Sequence, residues 1–345
     1  MADRLRGRAR MRGPVTRASL HAFANRVLTF SSRRGPKALL GMLAQTRISG
    51  NELAMQPPGS KERRLTLADG RDLCFAEFGA PHGRAVLYCH GFPGSRLEPA
   101  FAHPIAASVG ARLVCADRPG MGCSDPHPGR DLLAWTHDAE ALVDHLGLGS
   151  FSVLGVSGGA PYALACAYRL ADRVRATAVV SGVAPPEALA VTSRRSASGL
   201  GLRLAKALPW GTAPVCRLLG VAARRASPLL ITLVSAKACP RDRQVLAIAD
   251  FRDALAASLR EAFRNGARGA ATEIGLLCAP WGFDLGDVGT PVALWHGDDD
   301  RVVPMAMGRH LERALPACRA SYLPGHGHYS LVHDLAEPIL SYLVG

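Results

Sequence analysis

The 345-residue chain predicts an α/β protein, a mostly parallel sheet of eight strands with helices on both faces and one long helical insertion. Three observations carry this expectation. Hydrophobic residues make up 48% and charged residues 20%, the balance of a folded globular chain rather than a disordered one. From residue 63 onward, short apolar runs alternate with stretches of helical period in the βαβ manner. Finally, about 110 residues separate the runs ending at Ser181 and beginning at Pro291, too long for an ordinary crossover or a structureless loop.

Residues 1–62 form a basic extension that runs into "QPPGSKERR" (56–64), whose prolines and glycine give it the character of a linker. The net charge of +13 belongs largely here: residues 1–64 hold 14 Lys/Arg and three acids, net +11, and the rest is nearly neutral at +2. Three readings stay open for this segment: an organellar transit peptide, a basic arm for phosphate or lipid head groups, or a leader upstream of a start at Met55. In each case it is expected to be dispensable and flexible. The near-neutral body carries no recognised nucleic-acid module, so no nucleic-acid partner is expected.

The body is expected to span 63–182 and 287–345. "RLTLADG" and "DLCFAEFG" (63–79) predict two strands joined at Asp69-Gly70, a hairpin dipeptide. Strands follow at 85–89, 112–116, 151–155, 176–181, 291–296 and 319–323, and helices near 131–146, 159–170, 305–315 and 334–343. Residues 146–168 run for 23 positions without a charge, but Gly155, Gly158, Gly159 and Pro161 interrupt them, so a strand, a turn and a helix are expected rather than a membrane span. In 183–286, Leu and Ala recur at helical spacing with arginines on the other faces, as in "DFRDALAASLREAF", and this insertion is expected to be a lid.

Nine cysteines are dispersed without a C-x-x-C or a Cys/His cluster at zinc spacing. Several lie in apolar segments, so buried free thiols, a reducing compartment and a cytoplasmic location are expected, with an organelle as the alternative if the N-terminus is a transit peptide.

Four motifs carry chemistry. "GVSGG" (155–159) matches G-x-S-x-G, in which a serine on a tight strand-to-helix turn accepts strained backbone angles and its neighbours must be small for the turn to close. The motif alone is weak; its setting, between the buried run "FSVLGV" and the helical "APYALACAYRL", is the one it requires. "LYCHGFPGS" (87–95) ends a strand in a glycine-rich bend that brings backbone N–H groups close to a reacting carbon. Pro93 cannot donate, which leaves the amides of Phe92 and Gly158 as oxyanion donors. His90 is expected to tie the loop together. "WHGDDDRVVP" (295–304) sets three aspartates at the C-terminal end of a strand, where open α/β sheets place their sites, and two of the three are expected to solvate or hold the turn. "PGHGH" (324–328) puts His326 and His328 after the last strand, and the chain order Ser, Asp, His reproduces one known triad order.

Together, "HGFPGS", "DRPGMGCSD" (117–125), "GVSGGAPYALACA" and "HGDDDRVVP" with "PGHGH" make residues 63–345 resemble the α/β-hydrolase superfamily, in its lidded esterase-like and peptidase-like group. In that family the acid usually stands three residues before the Val-Pro pair, which selects Asp300, and the histidine follows the second glycine of G-x-G-H, which selects His328. The resemblance implies a Ser157–His328–Asp300 triad acting through an acyl-enzyme on a small, largely apolar acyl substrate, without metal or organic cofactor. It also implies that Asp117, Arg118 and Asp125 form a structural turn beside the site. Members that open epoxides or remove halogens carry an aspartate where Ser157 stands, so those reactions are excluded. Members that cleave an N-terminal proline show a second glycine at Phe92 and acidic lid residues, which makes that activity a poorer fit. The substrate pocket is expected between sheet and lid, lined by Phe92, Tyr162, Trp210 and Trp281. The alternatives are a non-catalytic ligand sensor or scaffold on the same fold, or a peptidase or C–C bond hydrolase running on the same triad.

Overall fold

The computed structural model describes residues 61–191 and 197–345, so the basic extension lies almost wholly outside the described residues. Eight strands form one sheet: β1 (Arg63–Thr66), β2 (Asp72–Gly79), β3 (Arg84–Cys89), β4 (Ala111–Ala116), β5 (Phe151–Val156), β6 (Val174–Val180), β7 (Val292–Gly297) and β8 (Cys318–Leu323). Their spatial order is β1-β2-β4-β3-β5-β6-β7-β8. Every pairing from β4 to β8 is parallel, and only the β1–β2 and β2–β4 pairings are antiparallel. Each strand lies within two residues of its expected ends; the central strands β3 to β7 are compact, largely buried apolar runs. The hairpin closes at Gly70, whose φ of +84° suits glycine.

Burial explains the sequence pattern. All six residues of β5 are buried, since it is central and covered on both faces. At the edge, β8 alternates half-buried and exposed positions over most of its length. One face is packed by helices that include Ala134–His145 and Ala160–Arg169, the other by His103–Ser108 and Ala336–Val344, and a separate apolar core fills each side.

Between β6 and β7 the chain forms the helices Ala197–Ala207, Pro209–Lys237, Pro240–Val245, Ala249–Ala262 and Arg268–Cys278. The long helix bends at Ala226 (φ −149°, ψ 38°), two residues before Pro228, whose ring removes a backbone donor and crowds the preceding turn. By length and composition this helix is apolar enough to cross a membrane. The insertion is seated on the body through a close backbone contact: a Cβ on Gly269 would lie 2.1 Å from the Gly120 carbonyl oxygen. All nine cysteines are free thiols, seven of them buried.

Candidate active site

Parallel strands β5 to β8 direct their C-terminal ends to one edge of the sheet, and the motif residues gather there. Ser157 follows β5 directly with a φ of +54°, a left-handed angle that non-glycine residues rarely hold. The flanking glycines make the turn possible by removing clashes. A Cβ on Gly155 would lie 2.7 Å from the Ala163 Cβ, and one on Gly159 only 1.9 Å from the Cys89 carbonyl oxygen. Ser157 is therefore held at the start of the helix Ala160–Arg169, near that helix's unpaired amides.

The loop after β3 lies against this turn. A Cβ on Gly158 would stand 3.3 Å from the Phe92 nitrogen, and one on Gly91 3.5 Å from the Ser157 Cβ, so the two proposed oxyanion donors belong to adjoining backbone segments. Glu98, which the sequence reading did not single out, fixes this loop: its buried carboxylate accepts the Gly91 N–H at 2.9 Å and the Tyr88 hydroxyl at 3.1 Å. Burial pushes its carboxyl upward despite these bonds. His90 is fully buried, with Nδ1 2.9 Å from the Gly91 carbonyl, and burial lowers its pKa, in keeping with the expected structural role.

Asp300 and His328 are in direct contact, His328 Nδ1 lying 2.9 Å from Asp300 Oδ2. Asp300 Oδ1 accepts the amides of Val302 and Val303, each at 2.8 Å. Burial raises the Asp300 carboxyl, but the His328 imidazole, then His296 and the Val303 amide, outweigh it and leave its pKa below the ordinary value. For His328, burial acts downward, and the Asp300 charge reverses it to a net rise above 6.5. The other aspartates hold the turn. Asp298 accepts the Gly325 N–H at 2.8 Å, lacing the loops after β7 and β8 together, and Asp299 pairs with Arg301. His326 points elsewhere, 3.1 Å from the Pro324 carbonyl.

Two residues of the insertion complete the surroundings. Asp242, 1% exposed, accepts the backbone amides of His328, Tyr329 and Ser330 and the Ser330 hydroxyl, and so caps the helix His328–Asp334 that carries the imidazole. A Cβ on Gly327 would lie 2.4 Å from Asp242 Oδ2, which explains the second glycine of "PGHGH". Glu273, fully buried, accepts from Arg118 at 2.6 Å, from the Tyr162 hydroxyl at 2.8 Å and from Arg130. Arg118 also donates to the carbonyls of His90 and Gly91, so its role extends past a structural turn into the loop of Phe92. Neither partner was legible in the sequence, where Asp242 and Glu273 are two acids among many.

The four expected pocket residues divide. Phe92 is half-buried between two apolar clusters. Tyr162 is buried in the Glu273 network with the Arg118 guanidinium 4.5 Å from its ring centroid. Trp281 is packed in the core beside Phe283 at 6.0 Å. Trp210 is 77% exposed and lines no interior pocket, because the helix it begins turns that end to solvent. Asp117, Cys123 and Glu261 bring possible ligand atoms together, but Arg96 already pairs with both carboxylates.

Comparison with known proteins fits this arrangement. The alpha/beta hydrolase fold family matches residues 84–334. A non-heme haloperoxidase from Rhodococcus erythropolis is 33% identical over 138 residues, 39% of this chain and 48% of that protein. A proline iminopeptidase from Xanthomonas citri is 35% identical over 106 residues, 30% of this chain and 34% of that protein. The chain thus spans half or less of the length of these relatives. Among solved structures, an alpha/beta hydrolase fold protein from Nakamurella multipartita is 22% identical with a TM-score of 0.62, covering 82% of this chain and 99% of that one. A thermophilic esterase from Thermogutta terrifontis is 21% identical with a TM-score of 0.58, covering 82% and 96%. With a family match running from β3 almost to the last helix, over a sheet of this order and a serine elbow at its centre, the chain belongs to the alpha/beta hydrolase fold family.

Proposed function

We propose that the protein is a serine hydrolase cleaving an ester or related acyl bond of a small, largely apolar substrate. The observation that carries this reading is the buried His328–Asp300 pair at 2.9 Å, on the sheet edge where Ser157 holds its left-handed elbow. In this reading Ser157 Oγ attacks the acyl carbon while His328 Nε2 takes its proton, since Nδ1 is engaged by Asp300. The amides of Phe92 and Gly158 stabilise the oxyanion, a contribution of about 3 kcal/mol per donor in comparable hydrolases. The imidazolium then protonates the leaving group, and water attacks the acyl-enzyme by the same route.

The insertion 183–286 serves as the lid in this proposal. Its two buried carboxylates, Asp242 and Glu273, are already saturated by protein donors, which supports an uncharged substrate over one bearing an amine. Nine free thiols fit a reducing compartment such as the cytoplasm. A fluorophosphonate probe is expected to label Ser157, located by peptide mass spectrometry. A folded sample that stays unlabelled would instead support the ligand-sensor alternative.

The pH profile offers a second check. General-base action needs neutral imidazole, and Asp300, Asp242 and Glu98 all favour the imidazolium of His328. The acid limb of kcat/KM is therefore expected to have its midpoint above 6.5, with activity lost as pH falls through it. Asp242→Asn removes one of these charges and should move the midpoint downward. An unmoved limb would show that Asp242 has no electrostatic hold on the base.

A further inference from the structure

We infer that the corner between the helices Ala197–Ala207 and Pro209–Lys237 is a docking surface for an anionic lipid bilayer. Five of the eight exposed large hydrophobic residues among those described fall between residues 204 and 218, on either side of this corner: Leu204, Leu208, Trp210, Val215 and Leu218. Trp210 at 77% and Val215 at 63% are the most exposed of them. A run of exposed apolar side chains of this size, rimmed by polar residues, marks an interaction surface.

Charge identifies the partner. From Ala188 to Arg241 the chain has nine Lys/Arg residues and not one Asp or Glu, although the body as a whole is nearly neutral. Lys206 and Arg217 are exposed and flank the apolar corner in sequence. An apolar tip bordered by cations, with a tryptophan at its end, fits a surface that offers anionic head groups over an apolar layer. A protein partner would require an acidic rim around an apolar socket, and the second copy of this chain presents the same positive charge.

Docking at the surface is favoured over spanning. Arg224 and Arg225 sit near the middle of the long helix, and Arg224 donates to the Phe263 carbonyl at 2.9 Å. Gly220 packs closely on the Phe263 ring, where a Cβ would lie 2.8 Å from it. These contacts keep the inner side of the helix on the protein and leave its first turns to meet the head-group boundary.

The test uses the full chain with vesicles of phosphatidylcholine alone or with 30 mol% phosphatidylglycerol, and no substrate, so its outcome is separate from that of the hydrolase reading. Cosedimentation is expected with the anionic vesicles and should weaken with salt. Of the four tryptophans, Trp135 and Trp281 are buried and Trp295 is half-buried, so a shift of emission to shorter wavelength would report Trp210. The variant L208S/W210S should lose the shift and at least about tenfold in partitioning, and K206E/R217E a similar factor, with far-UV circular dichroism unchanged. Undiminished binding by both variants would overturn the inference and assign binding to the basic residues 1–60. Equal binding to neutral vesicles, no binding by the wild type, or a wild-type dimer that L208S/W210S dissociates would overturn it as well.

Discussion

Ser157→Ala is expected to lower the turnover of a short p-nitrophenyl ester by at least about 10⁴-fold while leaving the protein folded. Oγ is the only non-hydrogen atom removed, and the strand and helix that hold it are buried and apolar. The residual rate should come from the Phe92 and Gly158 amides and from substrate binding, which do not depend on the nucleophile. A companion variant separates chemistry from strain. Ser157→Gly loses the same hydroxyl but relieves the φ of +54°, so it should be equally inactive yet more stable than Ser157→Ala by roughly 1 kcal/mol. Full activity in either variant would exclude Ser157 as the nucleophile; loss of activity with unfolding would point to the turn alone.

Glu273→Ala should be the most damaging change outside the motif residues, costing about 3–5 kcal/mol in denaturant unfolding. It removes the carboxylate that faces two guanidiniums, those of Arg118 and Arg130, whose side chains are 1% and 0% exposed. A buried positive pair without its counter-charge is far costlier than an intact ion cluster. Burial alone would raise the Glu273 pKa, but Arg118, Arg130 and the Tyr162 hydroxyl hold it at about 2. Because the folded pKa is depressed from 4.5, this stabilisation is present above that value and lost as pH falls toward about 2. The gap between wild type and variant should therefore narrow across that acid window. A constant gap would mean that packing, not charge, accounts for the loss. Activity should fall too, since Arg118 holds the His90 and Gly91 carbonyls, immediately before Phe92 in the loop that presents it.

Much of this architecture was legible because strand burial and turn chemistry are local properties. β5 reads as a strand from six consecutive residues, and Gly155 and Gly159 mark the elbow because only glycine avoids the clashes found there. Asp300 and His328 were chosen by resemblance, and the structure places them in hydrogen-bond contact. Short helices escaped notice: His103–Ser108 and His328–Asp334 have six and seven residues, too few for a clear period. Trp210 was misplaced for a related reason. Apolar spacing marks a helix but does not say which of its turns the body will cover.

By itself the sequence determined the sheet, its longer helices and the elbow, because each depends on residue types at fixed short spacing, while resemblance to a known family nominated Ser157, Asp300 and His328 as the candidate triad. Only the tertiary structure decided that Asp242 caps the helix of His328, that Glu273 and Arg118 brace the loop of Phe92, and that the corner at Trp210 faces outward. The first two rest on contacts between residues 86 and 155 apart in the chain, Asp242 with His328 and Arg118 with Glu273. The free energy of such a pairing depends on burial and geometry that exist only once the chain has closed upon itself.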